Sequence, residues 1–195
     1  MNVDLTIDKL NSVLDKQCNI LDIGAGKQEP HAKMFRSKGH VVDTVDFFST
    51  STYTGNFMDI GFTKQYDVIW ASHCLEHQLN VNMFLKKCYN VCSDGGLICI
   101  TVPPAKDWIV GGHVTLWNAG LVIYNLVMSG FDCSNSSIKS YDYNISVIAQ
   151  KKPFTMPKLR YDRGDLKTLQ QWLPSGLEYD KYGHFEGKIH EYNWS

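Results

Sequence analysis

The chain has 195 residues, which is the size of one domain with room for an appendage. Its composition is 44% hydrophobic and 20% charged, so it can bury a sizeable core and is not disordered throughout. The 19 lysine and arginine residues nearly balance the 20 acidic residues, which gives a net charge of −1. Such a chain lacks the broad positive surface that attracts nucleic acid or anionic membranes, so neither is an expected partner.

The first ten residues lack the basic start and apolar run of a secretory signal. The apolar stretch over residues 121–128 is too short to span a bilayer. None of the six cysteines belongs to a C-x-x-C pair, and several lie in apolar segments. These features predict reduced thiols in a cytoplasmic protein that does not cross a membrane.

Hydrophobic periodicity predicts helices that alternate with strands. In chain order the predicted elements are helix 4–16, strand 19–23, helix 29–38, strands 41–45, 53–57 and 66–70, helix 81–91, strand 97–102, helix 117–129, and strands 131–138 and 144–150. This alternation is typical of an α/β fold, in which helices cover both faces of a parallel sheet. Because only about five residues separate the last two strands, that pair is predicted to be antiparallel.

After residue 152 the pattern becomes polar, proline-containing and without a clear period. We therefore predict a domain over residues 1–152 and an aromatic-rich extension over residues 153–195. Aromatic side chains with polar neighbours can stack on a sugar or another planar acceptor. More often such a segment wraps its own domain or a second subunit, so a homodimer is left open.

A glycine turn is the strongest motif in the chain. The run L-D-I-G-A-G over residues 21–26 follows a predicted strand and precedes a predicted helix. Glycines there let the backbone pass close to a ligand at the carboxyl edge of the sheet. Asp46 ends the second strand, where a carboxylate can bind ribose hydroxyls, and Asp59 follows the third, near adenine's amino edge. Singly, each feature also fits a tight turn, a helix cap or a solvated loop, but the ordered set favours a nucleoside site.

The turn lacks the sequence patterns of sites that bind nucleotide phosphates, and this indicates which kind of nucleoside it binds. A dinucleotide site has the pattern G-x-G-x-x-G, but Glu29 occupies the third glycine position. An acidic side chain would repel a pyrophosphate at that place. The chain also lacks the G-x-x-x-x-G-K-[ST] run of a phosphate-binding loop. The turn is therefore predicted to bind a nucleoside without phosphates.

Several motifs together resemble the class I S-adenosylmethionine-dependent methyltransferases over about residues 18–151. The resemblance rests on N-I-L-D-I-G-A-G, V-D-T-V-D-F, G-N-F-M-D-I, Y-D-V-I-W-A-S-H-C-L-E-H, S-D-G-G-L-I-C-I-T-V-P-P and G-G-H-V-T-L-W. It implies a Rossmann-like three-layer sandwich with a mostly parallel seven-stranded sheet and an antiparallel last strand. It also implies methyl transfer as the activity and S-adenosylmethionine as the cofactor.

The resemblance further implies which residues bind that cofactor. Asp22, Gly24 and Gly26 would hold its methionyl end and ribose. Asp46 would bind the ribose hydroxyls, with Phe47 against adenine. The remaining implied positions are Met58 and Asp59 beside adenine, and Ser72 with His73 near the transferred methyl group.

Three histidines are candidate general bases, because an imidazole accepts a proton near neutral pH. His73 and His77 are four residues apart and would share a face if that segment were helical. Such spacing can also bind a metal, but H-E-x-x-H needs glutamate where the chain has Cys74, so no metal site is expected. His113 lies in a Gly-Gly loop after the fifth strand. A structural role for His77 and a plain surface loop around His113 remain open.

These features favour methyl transfer to an oxygen or nitrogen atom of a small molecule or biosynthetic intermediate. One rival is a non-catalytic methyltransferase-like module that binds partners or forms a scaffold. Another is an NAD-dependent oxidoreductase, which Glu29 disfavours. A nucleic-acid methyltransferase is disfavoured by the charge and by A-S-H-C after the fourth strand, where such enzymes carry an N/D-P-P-Y-type block.

Overall fold

The computed structural model describes residues 3–195, which contain five α-helices and eight strands. The helices are α1 (Asp4–Val13), α2 (Pro30–Ser37), α3 (Val81–Val91), α4 (Ala119–Met128) and α5 (Asp165–Leu169). The strands are β1 (Asn19–Ile23), β2 (Val41–Asp46), β3 (Tyr53–Thr54), β4 (Tyr66–Ser72), β5 (Cys92–Val102), β6 (Asp132–Tyr141), β7 (Asn144–Gln150) and β8 (Glu191–Tyr192). None of the described helices is both long and apolar enough to cross a bilayer.

The strands form one sheet in the order β3-β2-β1-β4-β5-β7-β6-β8. Strands β1 to β5 pair in parallel with one another, whereas β7 is antiparallel to both β5 and β6. The strand order reverses between β1 and β4, and ligands bind at such a reversal, outside the carboxyl ends of the strands. The predicted Rossmann-like, mostly parallel sheet with an antiparallel final pair is therefore confirmed.

Two differences from the prediction concern the outer strands. The sheet has eight strands rather than seven, because β8 pairs antiparallel with β6 through Tyr192 and Ile138. Strand β3 covers only Tyr53–Thr54, and a short 3₁₀ turn over Phe57–Asp59 follows it. A two-residue strand is too short to show alternating apolar and polar residues. The sequence pattern therefore did not predict β8, and it predicted a β3 that is longer than the observed strand.

Two hydrophobic clusters, one on each face of the sheet, make the fold three-layered. Alternate side chains of the central strands point to opposite faces, as the period of a strand requires. On one face they pack against α1 and α2, with Ile7 and Phe35 among the buried residues. On the other face they pack against α3 and α4, with Phe84 and Ile123 among them. The edge that joins β1, β2 and β4 is thus held rigidly from both sides.

Trp70 anchors α2 to the sheet beside the glycine turn. Its side chain is fully buried in β4 and packs edge-on against Phe35 of α2, with ring centroids 5.0 Å apart. Its Nε1 donates a 3.3 Å hydrogen bond to Nδ1 of His31. Burial lowers the pKa of His31 to about 4, so the neutral imidazole can accept that bond. Pro30 opens α2 at a position where its missing N–H costs nothing.

The segment after residue 152 packs on the same body. Leu169, Leu173 and Ile189 are buried in the cluster that contains α3 and α4. The amide of Gly120 in α4 donates a 2.9 Å hydrogen bond to the carbonyl of Gly187. A Cβ atom at Gly120 would lie 2.6 Å from Cα of Gly187, so α4 needs a glycine where the segment crosses it. The predicted division at residue 152 stays a prediction.

Candidate functional site

The glycine turn links the ends of β1 and β2. Gly24 has φ +78° and Gly26 has φ +69°, in the left-handed region that favours glycine. The amides of Gly24 and Ala25 donate to the carbonyl of Val45, at 2.8 and 3.1 Å. A Cβ atom on Gly24 would lie 3.5 Å from the Cys74 side chain, which follows β4. The turn therefore lies at the carboxyl edge, between three parallel strands.

The carboxylate of Asp46 is held at the end of β2 by backbone amides. Its Oδ2 accepts a 2.9 Å hydrogen bond from Gly26, and its Oδ1 accepts bonds from Phe48 and Ser49 at 3.0 and 2.7 Å. Partial burial works to raise the pKa of Asp46, but these amide bonds outweigh it and lower the pKa below its ordinary value. Asp46 is therefore ionised at neutral pH beside the glycine turn.

The residues expected near adenine follow β2 and β3 at the same edge. Phe47 is exposed and its ring lies 4.7 Å from that of Phe48, measured between centroids. Met58 and Asp59 belong to the 3₁₀ turn after β3, where Asp59 is exposed. Lys87 of α3 donates to the carbonyl of Met58 at 2.7 Å and so fixes that turn. Their contact with a cofactor stays a prediction.

Asp22 and Ser72 bring unpaired polar atoms to this edge. Asp22 in β1 is 1% exposed, and its Oδ2 has no hydrogen-bond partner. Burial raises the pKa of Asp22 to about 7, and the negative charge of Glu29 is the second-largest cause. Asp22 pairs with Trp70 of β4, so Ser72 lies two residues further toward the edge on the same face. The buried Oγ of Ser72 also lacks a partner.

Glu29 lies at the start of α2, where a dinucleotide site would have its third glycine. It has φ +45°, in the left-handed region. Its carboxylate accepts hydrogen bonds from Arg36 at 2.8 Å and from Thr44 at 2.6 Å. These two bonds lower the pKa of Glu29, so a fixed negative charge lies near Asp22.

The three candidate histidines surround a buried acid that the sequence analysis did not single out. Glu76 is 1% exposed, and neither carboxylate oxygen has a hydrogen-bond partner. Its Oε1 lies 3.3 Å from Nδ1 of His73 and 3.9 Å from Nε2 of His77. The rings of His77 and His113 meet edge-on with centroids 5.1 Å apart. The one available signal was an acid placed between two histidines that follow a strand.

The segment after β4 is not a helix, although the four-residue spacing of His73 and His77 is compatible with one. His73 has φ +51° and its amide donates to the carbonyl of Thr101 at 2.8 Å. Only Leu75–His77 form a single 3₁₀ turn. The histidines converge through this short turn and the loop after β5, and not because they share a helix face.

The buried side-chain atoms without a hydrogen bond gather at this site. Across the described residues 3–195 they are Asp22 Oδ2, Ser72 Oγ, His73 Nδ1, Glu76 Oε1 and Glu76 Oε2. Buried polar atoms are normally paired, because an unpaired one costs about 1–3 kcal/mol. Their concentration at the ends of β1 and β4 is what a ligand-binding edge needs.

A cavity of about 200 Å³ opens next to His113 in the loop after β5. Its walls are mainly apolar, and Nζ of Lys106 lies 4.0 Å from the ring centroid of Tyr143. Residues lining the cavity include Pro103, Pro104, Lys106, Trp108, His113 and Tyr143. This space is large enough for part of a small organic molecule beside the histidines.

A family model described as "Methyltransferase domain" matches residues 4–176 of the chain. The chain belongs to this methyltransferase family. The match runs past the predicted boundary at residue 152. The predicted membership of the class I S-adenosylmethionine-dependent methyltransferases is thereby confirmed, and with it the activity class and S-adenosylmethionine as the cofactor.

Solved structures of other methyltransferases share the fold. An N1-methyltransferase of 1,6-didemethyltoxoflavin from Burkholderia thailandensis has a TM-score of 0.63 at 16% identity, covering 77% of this chain and 79% of that one. A methyltransferase from Archaeoglobus fulgidus has a TM-score of 0.63 at 15% identity, covering 76% and 93%. Magnesium protoporphyrin IX methyltransferase from Synechocystis has a TM-score of 0.58 at 12% identity, covering 76% and 82%. No curated protein sequence matches the chain.

Proposed function

We propose that this methyltransferase moves a methyl group from S-adenosylmethionine to an oxygen or nitrogen atom of a small molecule. The observation that carries the proposal is the group of unpaired buried polar atoms on Asp22, Ser72, His73 and Glu76 at the ends of β1 and β4. They lie beside the glycine turn and near the cavity that His113 lines. Cofactor and acceptor sites therefore meet at one edge of the sheet.

The residues at the edge fit a positively charged adenosyl cofactor. When bound, S-adenosylmethionine supplies a methyl group on a sulfonium sulfur. The unpaired Oδ2 of Asp22 can accept a hydrogen bond from the methionyl ammonium, and Oγ of Ser72 can bond its polar atoms. Asp46 is ionised and can accept bonds from the ribose hydroxyls. The left-handed Gly24 and Gly26 bring backbone close without a Cβ atom in the way.

Phe47, Met58 and Asp59 complete the proposed cofactor site. The exposed ring of Phe47 can cover one face of adenine by stacking. The 3₁₀ turn after β3 can place Met58 and Asp59 at the edge of the base. These roles follow the family resemblance and the position of the three residues after neighbouring strands.

His73 is the proposed base for the acceptor's proton. It follows Ser72 directly, and Oε1 of Glu76 lies 3.3 Å from its Nδ1. A carboxylate at that place stabilises an imidazole that has taken up a proton. Its other nitrogen, Nε2, donates a 2.8 Å hydrogen bond to Oδ1 of Asn144, so Nε2 can take the acceptor's proton only after this bond breaks and the ring proton lies on Nδ1. His113 lines the acceptor cavity, and the ring of His77 packs edge-on against it.

The size of the cavity supports a small acceptor. About 200 Å³ with mainly apolar walls suits part of a ring-containing metabolite better than a polymer. The Burkholderia relative in fold was solved with the small heterocycle 1,6-didemethyltoxoflavin and S-adenosylhomocysteine bound. A near-neutral net charge also disfavours a nucleic-acid acceptor.

Isothermal titration of the folded protein with S-adenosylmethionine, S-adenosylhomocysteine and NAD tests the cofactor. We expect heat with the first two and none with NAD, because Glu29 would repel a pyrophosphate. A panel of hydroxyl and amine acceptors then tests turnover, read by mass spectrometry as the gain of one methylene unit. Cofactor binding without turnover across the panel would favour the non-catalytic alternative, and NAD binding alone would favour the oxidoreductase.

A further inference from the structure

Three metal-ligand side chains converge on the cavity side of the histidine group. One ligand atom each from Glu76, His77 and His113 lies within 4.8 Å of the other two. The backbone holds the segments together, because the amides of Val114 and Thr115 donate to the carbonyl of Glu76 at 2.9 and 3.3 Å. Backbone hydrogen bonds between the two segments therefore hold the three side chains near one another.

The charge balance at Glu76 is incomplete. Its carboxylate is buried, and both oxygens lack a hydrogen-bond donor. A buried carboxylate without compensation is strongly destabilising, so such groups are paired or bind a metal. The imidazoles of His73 and His77 approach it at 3.3 and 3.9 Å, and that of His113 lies within 4.8 Å. A bound cation would supply the missing positive charge.

The hydrogen bond between His77 and Gly112 determines which ring nitrogen of His77 carries the proton and which has a free lone pair. Its Nδ1 lies 2.7 Å from the carbonyl oxygen of Gly112. Because a carbonyl can only accept, Nδ1 carries the proton, and Nε2 of the neutral ring has a free lone pair. Nε2 lies 3.9 Å from Oε1 of Glu76, which is itself an acceptor. A histidine that donates one N–H to a backbone carbonyl and turns the other nitrogen outward is typical of a metal ligand.

We propose that Glu76, His77 and His113 bind a divalent ion of the zinc class. Two imidazoles and one carboxylate suit zinc and similar first-row metals, whereas magnesium and calcium prefer oxygen ligands. Zinc–ligand distances of about 2.0–2.2 Å place ligand atoms no more than about 4 Å apart, so small rotations of the exposed His77 and half-buried His113 close the site. This proposal replaces the expectation of no metal site.

Such an ion would keep a free coordination position. Three protein ligands leave zinc open to a fourth, as in catalytic sites. Because His113 also lines the 200 Å³ cavity, an ion bound there would lie beside the space proposed for the acceptor. An acceptor oxygen is then the group that the ion would orient. The binding of the ion does not depend on the proposed function; its role in orienting an acceptor rests on that function.

Metal titration tests the site directly. Protein stripped with a chelator is titrated with Zn²⁺ by calorimetry and with Co²⁺ by visible absorption, whose bands report nitrogen and oxygen coordination. We expect one ion per chain, and at least about tenfold weaker binding in each of Glu76→Gln, His77→Ala and His113→Ala. His184→Ala is the matched control, because His184 also pairs with a carboxylate, Asp180, at 3.1 Å on the surface. Circular dichroism checks the fold of every variant.

The outcomes separate this proposal from the methyltransferase proposal. No stoichiometric Zn²⁺ binding by the folded wild type would overturn the metal site, as would equal affinity in His113→Ala and His184→Ala. Tighter binding of Mg²⁺ than of Zn²⁺ would overturn the assigned class of ion. S-adenosylmethionine is titrated into the same metal-free samples, so loss of cofactor binding with intact Zn²⁺ binding would count only against the proposed function.

Discussion

The amide of Gly26 donates a 2.9 Å hydrogen bond to Oδ2 of Asp46, across 20 residues of sequence. This bond ties the glycine turn after β1 to the end of β2. It leaves the carboxylate anchored and ionised at the edge of the sheet. The same side chain thus shapes the turn and offers lone pairs to a ligand.

We expect Asp46→Ala to weaken binding of S-adenosylmethionine by at least about tenfold. Charge-assisted hydrogen bonds contribute about 1.5–3 kcal/mol each, and the substitution removes those proposed to the ribose. Isothermal titration measures the affinity. Asp43→Ala is the control, since Asp43 lies on the same strand but accepts a hydrogen bond from Tyr66 and pairs with Lys64. Unchanged affinity in a folded Asp46→Ala protein would refute the ribose assignment.

The raised pKa of Asp22 predicts how stability depends on pH. Because the folded pKa of about 7 exceeds the ordinary value of 3.8, protonation of Asp22 favours folding. Its contribution is complete below about pH 4 and is lost as pH rises through 7. We therefore expect Asp22→Asn to reduce the fall in thermal stability between pH 5 and pH 8. Melting curves of both proteins at the two pH values measure this, and parallel losses would contradict the assignment.

We expect His73→Ala to slow turnover while leaving cofactor affinity nearly unchanged. Loss of a general base typically lowers the rate by about 10²–10⁴-fold. Single-turnover rates with an acceptor found in the panel measure the effect, and titration of S-adenosylmethionine measures the affinity. His184→Ala, far along the chain in an exposed turn, serves as the control. A wild-type rate in His73→Ala would remove His73 as the base.

Gly120→Ala should destabilise the protein although alanine favours helices. The added Cβ atom would lie 2.6 Å from Cα of Gly187 and 3.1 Å from Cε2 of Phe185. Overpacking of this kind costs about 1–3 kcal/mol, which exceeds the gain of about 0.5–1 kcal/mol in helix propensity. Denaturant unfolding measures the change. Gly61→Ala meets no atom within 4 Å and should be close to neutral, so equal effects would contradict the crossing constraint.

Much of the fold could be predicted because its central elements carry strong local patterns. The range 81–91 was predicted for α3 and is observed, since Asn80 caps the helix by accepting a 3.1 Å bond from the amide of Met83. Helix α4 starts at Ala119 and not at residue 117, because Asn118 caps it in the same way. Periodicity locates a helix well, but the capping side chain decides its first residue.

The site was only partly predictable for a related reason. Asp22, Gly24 and Gly26 belong to one motif and Asp46 to the next, and the structure brings them to one edge. Glu76 was missed because its importance depends on burial and on the loop that carries His113, which is far along the chain. Nothing local in the sequence reveals that contact, which the tertiary fold alone creates.

The short strand β8 has a consequence for how the protein behaves when cut. It donates and accepts main-chain hydrogen bonds along β6, and Ser140 of β6 binds the carbonyls of Ile189 and His190 nearby. Without β8, β6 would be an unpaired edge strand, and apolar side chains beside it would be exposed to solvent. A version of the chain ending at residue 152 should therefore recruit strands from other molecules and precipitate, whatever its catalytic residues can still do.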